Sequence, residues 1–331
     1  MYIGIDLGYN SVKVVSSDGR ATFPSVVGTP EESSFKVVGS QGEFSITIGD
    51  KRYNIGNSAI EQSRFITRSE NRDWIDSEEY LALLHAALST IQESGGFTTN
   101  IVTGLPLAYY DDDKDKIKDR FEMLHQVRRG GRAVLRANIE KCYVVPQPMG
   151  ALASLTFDES GNISRPEFLN SRVGIIDIGG KTTNILHAYK MRDIQTETES
   201  INIGAWDIVK AMRKNVEIAC PGANYNDHEV MEAIKYKRIK YSGAIIDIRD
   251  LVEVVLNNVC SPIISKVREL WAGDGARLDR IVISGGGSLL IGQKLSDMIE
   301  HQNVTLIEDP VYANADGYYK LAMFKSKQEN G

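Results

Sequence analysis

Val173-Gly174-Ile175-Ile176-Asp177-Ile178-Gly179-Gly180-Lys181-Thr182-Thr183-Asn184-Ile185-Leu186 is an apolar run that delivers one carboxylate, passes through two glycines and three small polar residues, and becomes apolar again. That order reads as strand, glycine turn, strand: a β-hairpin whose backbone can come close to a bound group. Successive N–H groups and hydroxyls at such a turn suit phosphate oxygens, and the carboxylate beside them suits a hydrated Mg²⁺. An ordinary buried hairpin would read the same way. The second copy decides between them. Ile3-Gly4-Ile5-Asp6-Leu7-Gly8-Tyr9-Asn10-Ser11-Val12-Lys13-Val14-Val15 sets Asp6, Gly8 and Ser11 at the spacing of Asp177, Gly179 and Thr182. Two like hairpins, one near the beginning of each half, imply two similar half-molecules facing one phosphate group.

With 331 residues the chain has length for about two domains, each with its own core. Its 42% hydrophobic and 25% charged residues are those of a soluble globular protein. No run approaches the roughly 20 apolar residues of a membrane span. The N-terminus enters a strand directly, so no signal peptide is expected. Cys142, Cys220 and Cys260 are odd in number and not spaced for zinc, which fits reduced thiols and a cytoplasmic location. A net charge of −6 opposes direct nucleic-acid binding.

Along the chain, Ala21 to Thr29 reads as extended, broken at Phe23-Pro24-Ser25. Residues 31–57 alternate short β-prone pieces with turns (Phe35-Lys36-Val37-Val38, Phe44-Ser45-Ile46-Thr47-Ile48, Tyr53-Asn54-Ile55-Gly56), which predicts a small exposed subdomain. Trp74 to Glu93 is a helix capped by Asp76 or Ser77. Asp111-Asp112-Asp113 opens another, and its acids suit a solvated helix start better than a metal site. Arg128-Arg129-Gly130-Gly131-Arg132 lacks the repeats and aromatics of an RNA-binding tract and reads as a basic turn between strands. Asp158 to Arg172 is a surface excursion. The second half supplies helices at Ala205 to Lys214, Asp227 to Lys240 and Asp250 to Trp271, the last bent by Pro262. A buried strand, Arg280 to Ser284, runs into Gly285-Gly286-Gly287, and a final helical segment covers Ala313 to Phe324.

Two glycine motifs are false leads. Gly180-Lys181-Thr182 resembles the end of a P-loop, but Ile175 stands where that motif needs glycine. Gly285-Gly286-Gly287 meets Leu290 where a dinucleotide fingerprint needs its third glycine. No Ser/His/Asp arrangement emerges from the five histidines.

The order is instead an Asp-x-Gly hairpin with Lys13, a turn at Gln147 inside Pro146-Gln147-Pro148, a second Asp-x-Gly hairpin, and a triple-glycine strand-to-helix turn. With this order the chain resembles the actin-like ATPase superfamily over nearly its whole length. It is most similar there to the ParM/StbA-type plasmid-segregation actins and their archaeal relatives, through Tyr53-Asn54-Ile55-Gly56-Asn57, Val102-Thr103-Gly104-Leu105-Pro106 with Tyr109-Tyr110, Asp177 to Asn184 and Ser284 to Gly287. The resemblance implies an α/β, actin-like fold of two RNase H-like domains with a nucleotide cleft between them. Domain I would cover 1–150, with a small subdomain at about 30–70, and domain II 151–331, with the helix at about 313–325 packing back on domain I.

The same resemblance implies site roles. Asp6 and Asp177 would hold Mg²⁺, mostly through water. Gly8, Tyr9, Asn10 and Ser11 would contact the β-phosphate, with Lys13 offsetting charge. Gly179, Gly180, Lys181, Thr182 and Thr183 would cradle the γ-phosphate, and Gln147 would orient the attacking water, making Gln147, Asp177 and Asp6 the catalytic set. Several relatives carry Glu at the place of Gln147. Gly285, Gly286 and Gly287 would let adenine lie on bare backbone. Glu232 and Lys235, three apart on a helix, are candidates for ribose and base contacts, although an ordinary surface ion pair explains that spacing slightly better.

The implied activity is hydrolysis of ATP to ADP, with GTP an open alternative, coupled to polymerisation into a cytoskeletal filament. The implied partners are other copies of the chain and a DNA-binding adaptor at a centromere-like site, with no direct nucleic acid and no membrane. A small-molecule kinase and a chaperone-like ATPase of the same superfamily are the alternatives.

Overall fold

The computed structural model describes residues 1–30, 44–68, 72–272 and 275–330. It divides into two compact units: Met1–Pro166 with Asn314–Gly331, and Glu167–Ala313. The division therefore falls after Pro166 and not after residue 150, because helix Pro148–Thr156 buries Met149, Ala151, Leu152 and Ala153 within the first unit.

In the first unit, strands β1 (Tyr2–Leu7), β2 (Ser11–Ser16), β3 (Gly19–Pro24), β4 (Val26–Gly28), β5 (Ser45–Ile48), β6 (Lys51–Ile55), β7 (Ile66–Arg68), β8 (Gly95–Leu105), β9 (Leu124–Arg129) and β10 (Leu135–Pro146) form one sheet among the described residues. Their order is β3-β2-β1-β8-β10-β9-β5-β6-β4-β7. The central strands β1, β8 and β10 are parallel. Helices α1 (Asn57–Gln62), α2 (Glu78–Ile91), α3 (Tyr110–Phe121) and α4 (Pro148–Thr156) complete this part. Ser77 caps α2 by accepting from the Tyr80 N–H at 3.1 Å. The helix buries Leu83, Leu84 and Leu88 with Ile3, Ile5 and Ile101 of the sheet.

The predicted small subdomain differs from expectation. Phe35 and its neighbours lie outside the described residues, and the described part continues the main sheet through the pairing of β5 with β9. Its alternate residues Ile46, Tyr53 and Ile55 are therefore core. Phe44, expected on an exposed surface, is half-buried: it meets Phe23 edge-on at 5.2 Å and carries the Arg129 guanidinium 4.4 Å above its ring.

The second unit holds α5 (Pro166–Asn170) at its start, then β11 (Arg172–Ile178), β12 (Thr183–Tyr189), β13 (Arg192–Asp193), β14 (Glu199–Ile201), α6 (Ala205–Ala219), α7 (Asp227–Tyr236), β15 (Arg238–Tyr241), β16 (Ala244–Asp247), α8 (Arg249–Leu270), β17 (Arg280–Ser284), α9 (Ser288–Met298) and β18 (Val304–Leu306). The main sheet runs β13-β12-β11-β17-β18, with β14 on β12. The run through β11 is buried on both faces, which is why its sequence is continuously apolar. Helices α6, α8 and α9 supply Met212, Val252, Ile263 and Ile291 to the core beneath it.

Two local expectations change. The charged helix ends at Tyr236, not Lys240: Lys237 takes a left-handed φ of 54°, and the positive φ of Ser242 and Gly243 turns the chain into the β15–β16 hairpin. The stretch from Asp158 to Arg172 is not wholly surface, since α5 buries Phe168. Helix α8 continues through Pro262.

The last helix, α10 (Ala313–Asn330), joins the first unit. Glycines let it lie directly on backbone: a Cβ on Gly317 would stand 1.7 Å from the Gly150 carbonyl oxygen, and one on Gly4 would stand 2.2 Å from that of Ala315. Tyr318 is fully buried at this seam. Because the neighbour at Gly317 is backbone and cannot rotate aside, Gly317→Ala should cost at least about 2 kcal/mol. Thermal unfolding beside the wild type measures this, and an unchanged midpoint would mean that α10 is free to shift.

Candidate functional site

In the first unit the β1–β2 register sets Asp6 opposite Lys13. Asp6 is 2% exposed, and its two oxygens are used separately: Oδ2 accepts from Lys13 Nζ at 2.9 Å and Oδ1 from Gln147 Nε2 at 3.3 Å. An ionised carboxylate only accepts, so the Gln147 NH₂ faces it and the amide oxygen faces away, ready to accept from a water. The Gln147 backbone is fixed as well. Its N–H donates to the Leu105 carbonyl at 2.8 Å, and its own carbonyl accepts from Gly150 N–H at 3.1 Å and the Tyr318 hydroxyl at 3.2 Å.

The turn between the two strands is held from one side. Ser25 donates from its hydroxyl to the Gly8 carbonyl at 2.6 Å and from its N–H to the Asn10 carbonyl at 3.0 Å. In a trans peptide the N–H points opposite to the C=O, so the N–H groups of Tyr9 and Ser11 are directed away from Ser25. Burial, with Tyr109 and Asp113 adding to it, pushes the Tyr9 phenol up to about 12, so it stays protonated at neutral pH. A pocket of about 490 Å³, counted to its open mouth, borders Gly8, Tyr9 and Gln147 and is walled by Trp74, Tyr80 and Tyr109.

The second unit repeats the plan. Gly179 N–H closes the turn onto the Thr182 carbonyl at 2.8 Å, while the Gly179 and Gly180 carbonyls accept from Ala205 and Trp206 N–H, at 3.0 and 2.9 Å, in the first turn of α6. By the same planarity the N–H groups of Gly180 and Lys181 point away from α6. Gly204 permits this approach, since a Cβ there would stand 2.6 Å from the Gly180 carbonyl oxygen. Gly179, Gly180 and Lys181 are half-buried, and Thr182 and Thr183 are buried.

Asp177, 2% exposed, is the last residue but one of β11 and stands beside Ser284 of the parallel β17. Gly285, at φ +82°, wraps onto it so tightly that a Cβ would lie 2.5 Å from Asp177 Oδ1. Gly287 N–H donates to the Ile178 carbonyl at 2.8 Å and leads into α9. Gly286 has only Val311 Cγ2, at 3.9 Å, near its Cβ direction, so bare backbone faces open space there.

Asp6, Gly8, Tyr9, Asn10, Ser11, Lys13 and Gln147 thus form one cluster in the first unit, and Asp177, Gly179 to Thr183 and Gly285 to Gly287 one in the second. Glu232 and Lys235 fall in the same unit, together on one helix. They lie on α7 without the ion pair that their spacing suggested, and the Lys235 ammonium sits 5.1 Å from the Tyr236 ring. Ser25, Gly204 and Tyr318, which brace the turns and Gln147, were missed in the sequence. Only the strand break at Pro24-Ser25 could have drawn attention to the first.

No three His, Cys, Asp or Glu side chains converge among the described residues. A divalent cation would therefore keep most of its waters and use one or two carboxylates with the phosphates, which is the manner of Mg²⁺. The buried Asp6 and Asp177, each beside a turn with outward N–H groups, fit that requirement.

Two family profiles match the sequence. Residues 4–150 match the N-terminal domain of actin-like proteins, and residues 175–297 the C-terminal region of the archaeal MreB-like actin homologues. The chain belongs to the actin-like superfamily. Among individual proteins, it is 26% identical over 333 residues to an archaeal actin homolog of Thermoplasma acidophilum, covering 97% of this chain and 98% of that one. Ta0583, an archaeal actin homolog solved in complex with ADP, superposes with a TM-score of 0.78 at 24% identity, covering 97% and 98% of the two chains. The subunit of a 15-stranded ParM filament from Clostridium botulinum superposes with a TM-score of 0.75 at 25% identity, with the same coverage.

Proposed function

We propose that this chain binds and hydrolyses Mg-ATP and polymerises with copies of itself into filaments that move or segregate DNA through a separate adaptor. The observation that carries the reading is the Lys13–Asp6–Gln147 relay beside the Gly8 turn. One buried carboxylate there orients a water-positioning amide next to N–H groups suited to phosphate. The ADP complex of Ta0583 and the ParM filament support it, as proteins of similar fold.

When bound, Mg²⁺ would be held mostly through water by Asp6 and Asp177 and would offset phosphate charge. The turn at Gly8 to Ser11 presents N–H groups to the β-phosphate and Lys13 adds a positive charge, while the turn at Gly179 to Thr183 presents N–H groups and hydroxyls to the γ-phosphate. Gln147 accepts from the attacking water and holds it in line, a positioning role that suffices for a largely dissociative transfer. The bare backbone at Gly286 offers a flat surface to the base. The absence of a strongly basic composition, with net charge −6, favours an adaptor over direct DNA contact.

Gln147→Ala should bind nucleotide nearly as the wild type does and hydrolyse it about 10²-fold more slowly. Calorimetric titration and phosphate release measure the two separately, and a parallel loss of both would make Gln147 structural. With the wild type, light scattering should rise on adding Mg-ATP above a critical concentration, and ADP should support this less. A protein that stays monomeric with every nucleotide while phosphorylating a small sugar would be a kinase.

A further inference from the structure

The β15–β16 hairpin, with the end of α7, displays basic residues interleaved with aromatics: Lys235, Tyr236, Lys237, Arg238, Lys240 and Tyr241. Ile239 is buried, so strand alternation sends Arg238 and Lys240 outward together. Tyr236 is 51% exposed, with Lys235 Nζ 5.1 Å and Arg238 Cζ 5.8 Å from its ring, and Ile245 is 69% exposed on the partner strand. This charge is not cancelled locally. Lys237 is paired with Glu253 at 3.3 Å, but among the described residues no carboxylate pairs with Arg238 or Lys240. Asp247 stands opposite Arg238 in register, yet Arg249 holds its carboxylate at 2.6 Å.

The complementary surface is on α3. Asp112, Asp115 and Asp119 fall within an arc of about 60° at 100° per residue. All three are exposed, and Asp115 and Asp119 pair with no cation among the described residues. The exposed Met123 and Leu124 follow immediately, at 48% and 53%. Charge and apolar surface match in both sign and order. The spacing matches too: alternate residues on a strand stand about 6.6 Å apart, and residues four apart on a helix, as Asp115 and Asp119 are, rise about 6 Å.

We propose that the basic-aromatic face of β15–β16 docks on the acidic face of α3 of a second copy of the chain. This rests on the filament reading above and assigns it a contact. The two surfaces differ, so the contact is head-to-tail and repeats without limit unless its rotation closes a ring. Discrete carboxylates suit the patch better than a nucleic-acid backbone does, because a chain of net charge −6 opposes a continuous line of phosphates.

The test is a charge swap. Arg238→Glu with Lys240→Glu should raise the critical concentration for Mg-ATP assembly at least tenfold, and so should Asp115→Lys with Asp119→Lys. All four together should return it to within about threefold of the wild type, because the reversed pairs attract again. The milder Arg238→Gln with Lys240→Gln should raise it by a smaller factor, which covers misfolding of the reversed variant. Nucleotide affinity, measured on the same preparations below the wild-type critical concentration, should be unchanged throughout. The proposal is overturned if the fourfold variant assembles no better than either pair, or if wild type that hydrolyses ATP never assembles. It is overturned equally if the hairpin reversal abolishes binding to duplex DNA and leaves assembly intact. Wild type that binds no nucleotide would instead sink the ATPase reading.

Discussion

Asp6→Ala should lower kcat/KM for Mg-ATP about a thousandfold, roughly 4 kcal/mol, the largest effect expected of any single residue of the candidate site. Three losses coincide at that carboxylate. On the proposed role a bound cation would lose an acceptor, which alone should cost about tenfold, as it should for Asp177→Ala. Gln147 loses the partner 3.3 Å away that orients its amide, a loss of about 10²-fold. Lys13, whose side chain is only 14% exposed, loses the carboxylate 2.9 Å away that compensates its charge. Because Asp6 and Gln147 act through one hydrogen bond, the double variant Asp6→Ala with Gln147→Ala should be little worse than Asp6→Ala alone. Single-turnover phosphate release on the four proteins of this cycle tests the claim. Additive losses would show that the two residues act independently, and wild-type kinetics for Asp6→Ala would remove it from the site.

The second large effect is on stability towards acid. His85 and His125 face each other in the core of the first unit, His85 Nε2 3.2 Å from His125 Nδ1, while His125 Nε2 lies 3.0 Å from the Phe121 carbonyl. The carbonyl requires an N–H, so His125 carries its proton on Nε2 and accepts on Nδ1. His85 therefore donates from Nε2, and its buried Nδ1 has no partner among the described residues. Both rings are neutral. Burial, then His125 and Arg120, pushes His85 down to about 3, and burial lowers His125 as well, partly opposed by the bond to Phe121.

Both groups are depressed below the unfolded value of about 6.5, so above pH 6.5 neither state takes a proton and the pair has no effect. Below it the unfolded chain takes up protons that the folded chain refuses. Stability then falls by about 1.4 kcal/mol per pH unit through His85, down to about pH 3, and His125 adds a loss of the same sign. Between pH 6.5 and 4.5 His85 alone should remove roughly 3 kcal/mol, and His125 acts in the same direction. In His85→Leu with His125→Leu this share of the acid loss should vanish. Urea titrations of both proteins at pH 7 and 4.5 read the difference, and an equal drop in the two would refute it.

What could be read in the sequence was local. The apolar runs flanking Asp6 and Asp177 and the glycines after them mark each hairpin, because period and turn chemistry are written within about 14 residues. Strand β17 and the glycine turn after it were legible for the same reason. What escaped depends on residues far apart in the chain. Ser25 reaches back to the Gly8 turn, α6 braces the Gly179 turn, and Tyr318 reaches Gln147 across 171 positions. The helix expected to run to Lys240 failed at Lys237, where a left-handed residue that is not glycine carries no sequence mark. The pairing of β5 with β9 turned an expected polar annex into core, since alternation alone does not say which sheet a strand will join.

The placement of α10 also orders the birth of the molecule. On the ribosome, Gly4, Gly150 and the sheet beneath them emerge first, yet the helix that fills that seam is translated only after the whole of Glu167–Ala313. The second unit is continuous in the chain and can close as it leaves the tunnel. The first must wait with the Tyr318 seat open, exposing Val102 and its neighbours until the final helix arrives. The Lys13–Asp6–Gln147 relay, braced by Tyr318, is thus completed last. Nascent chains stalled before α10 should carry a finished second unit beside a first that proteases can still cut.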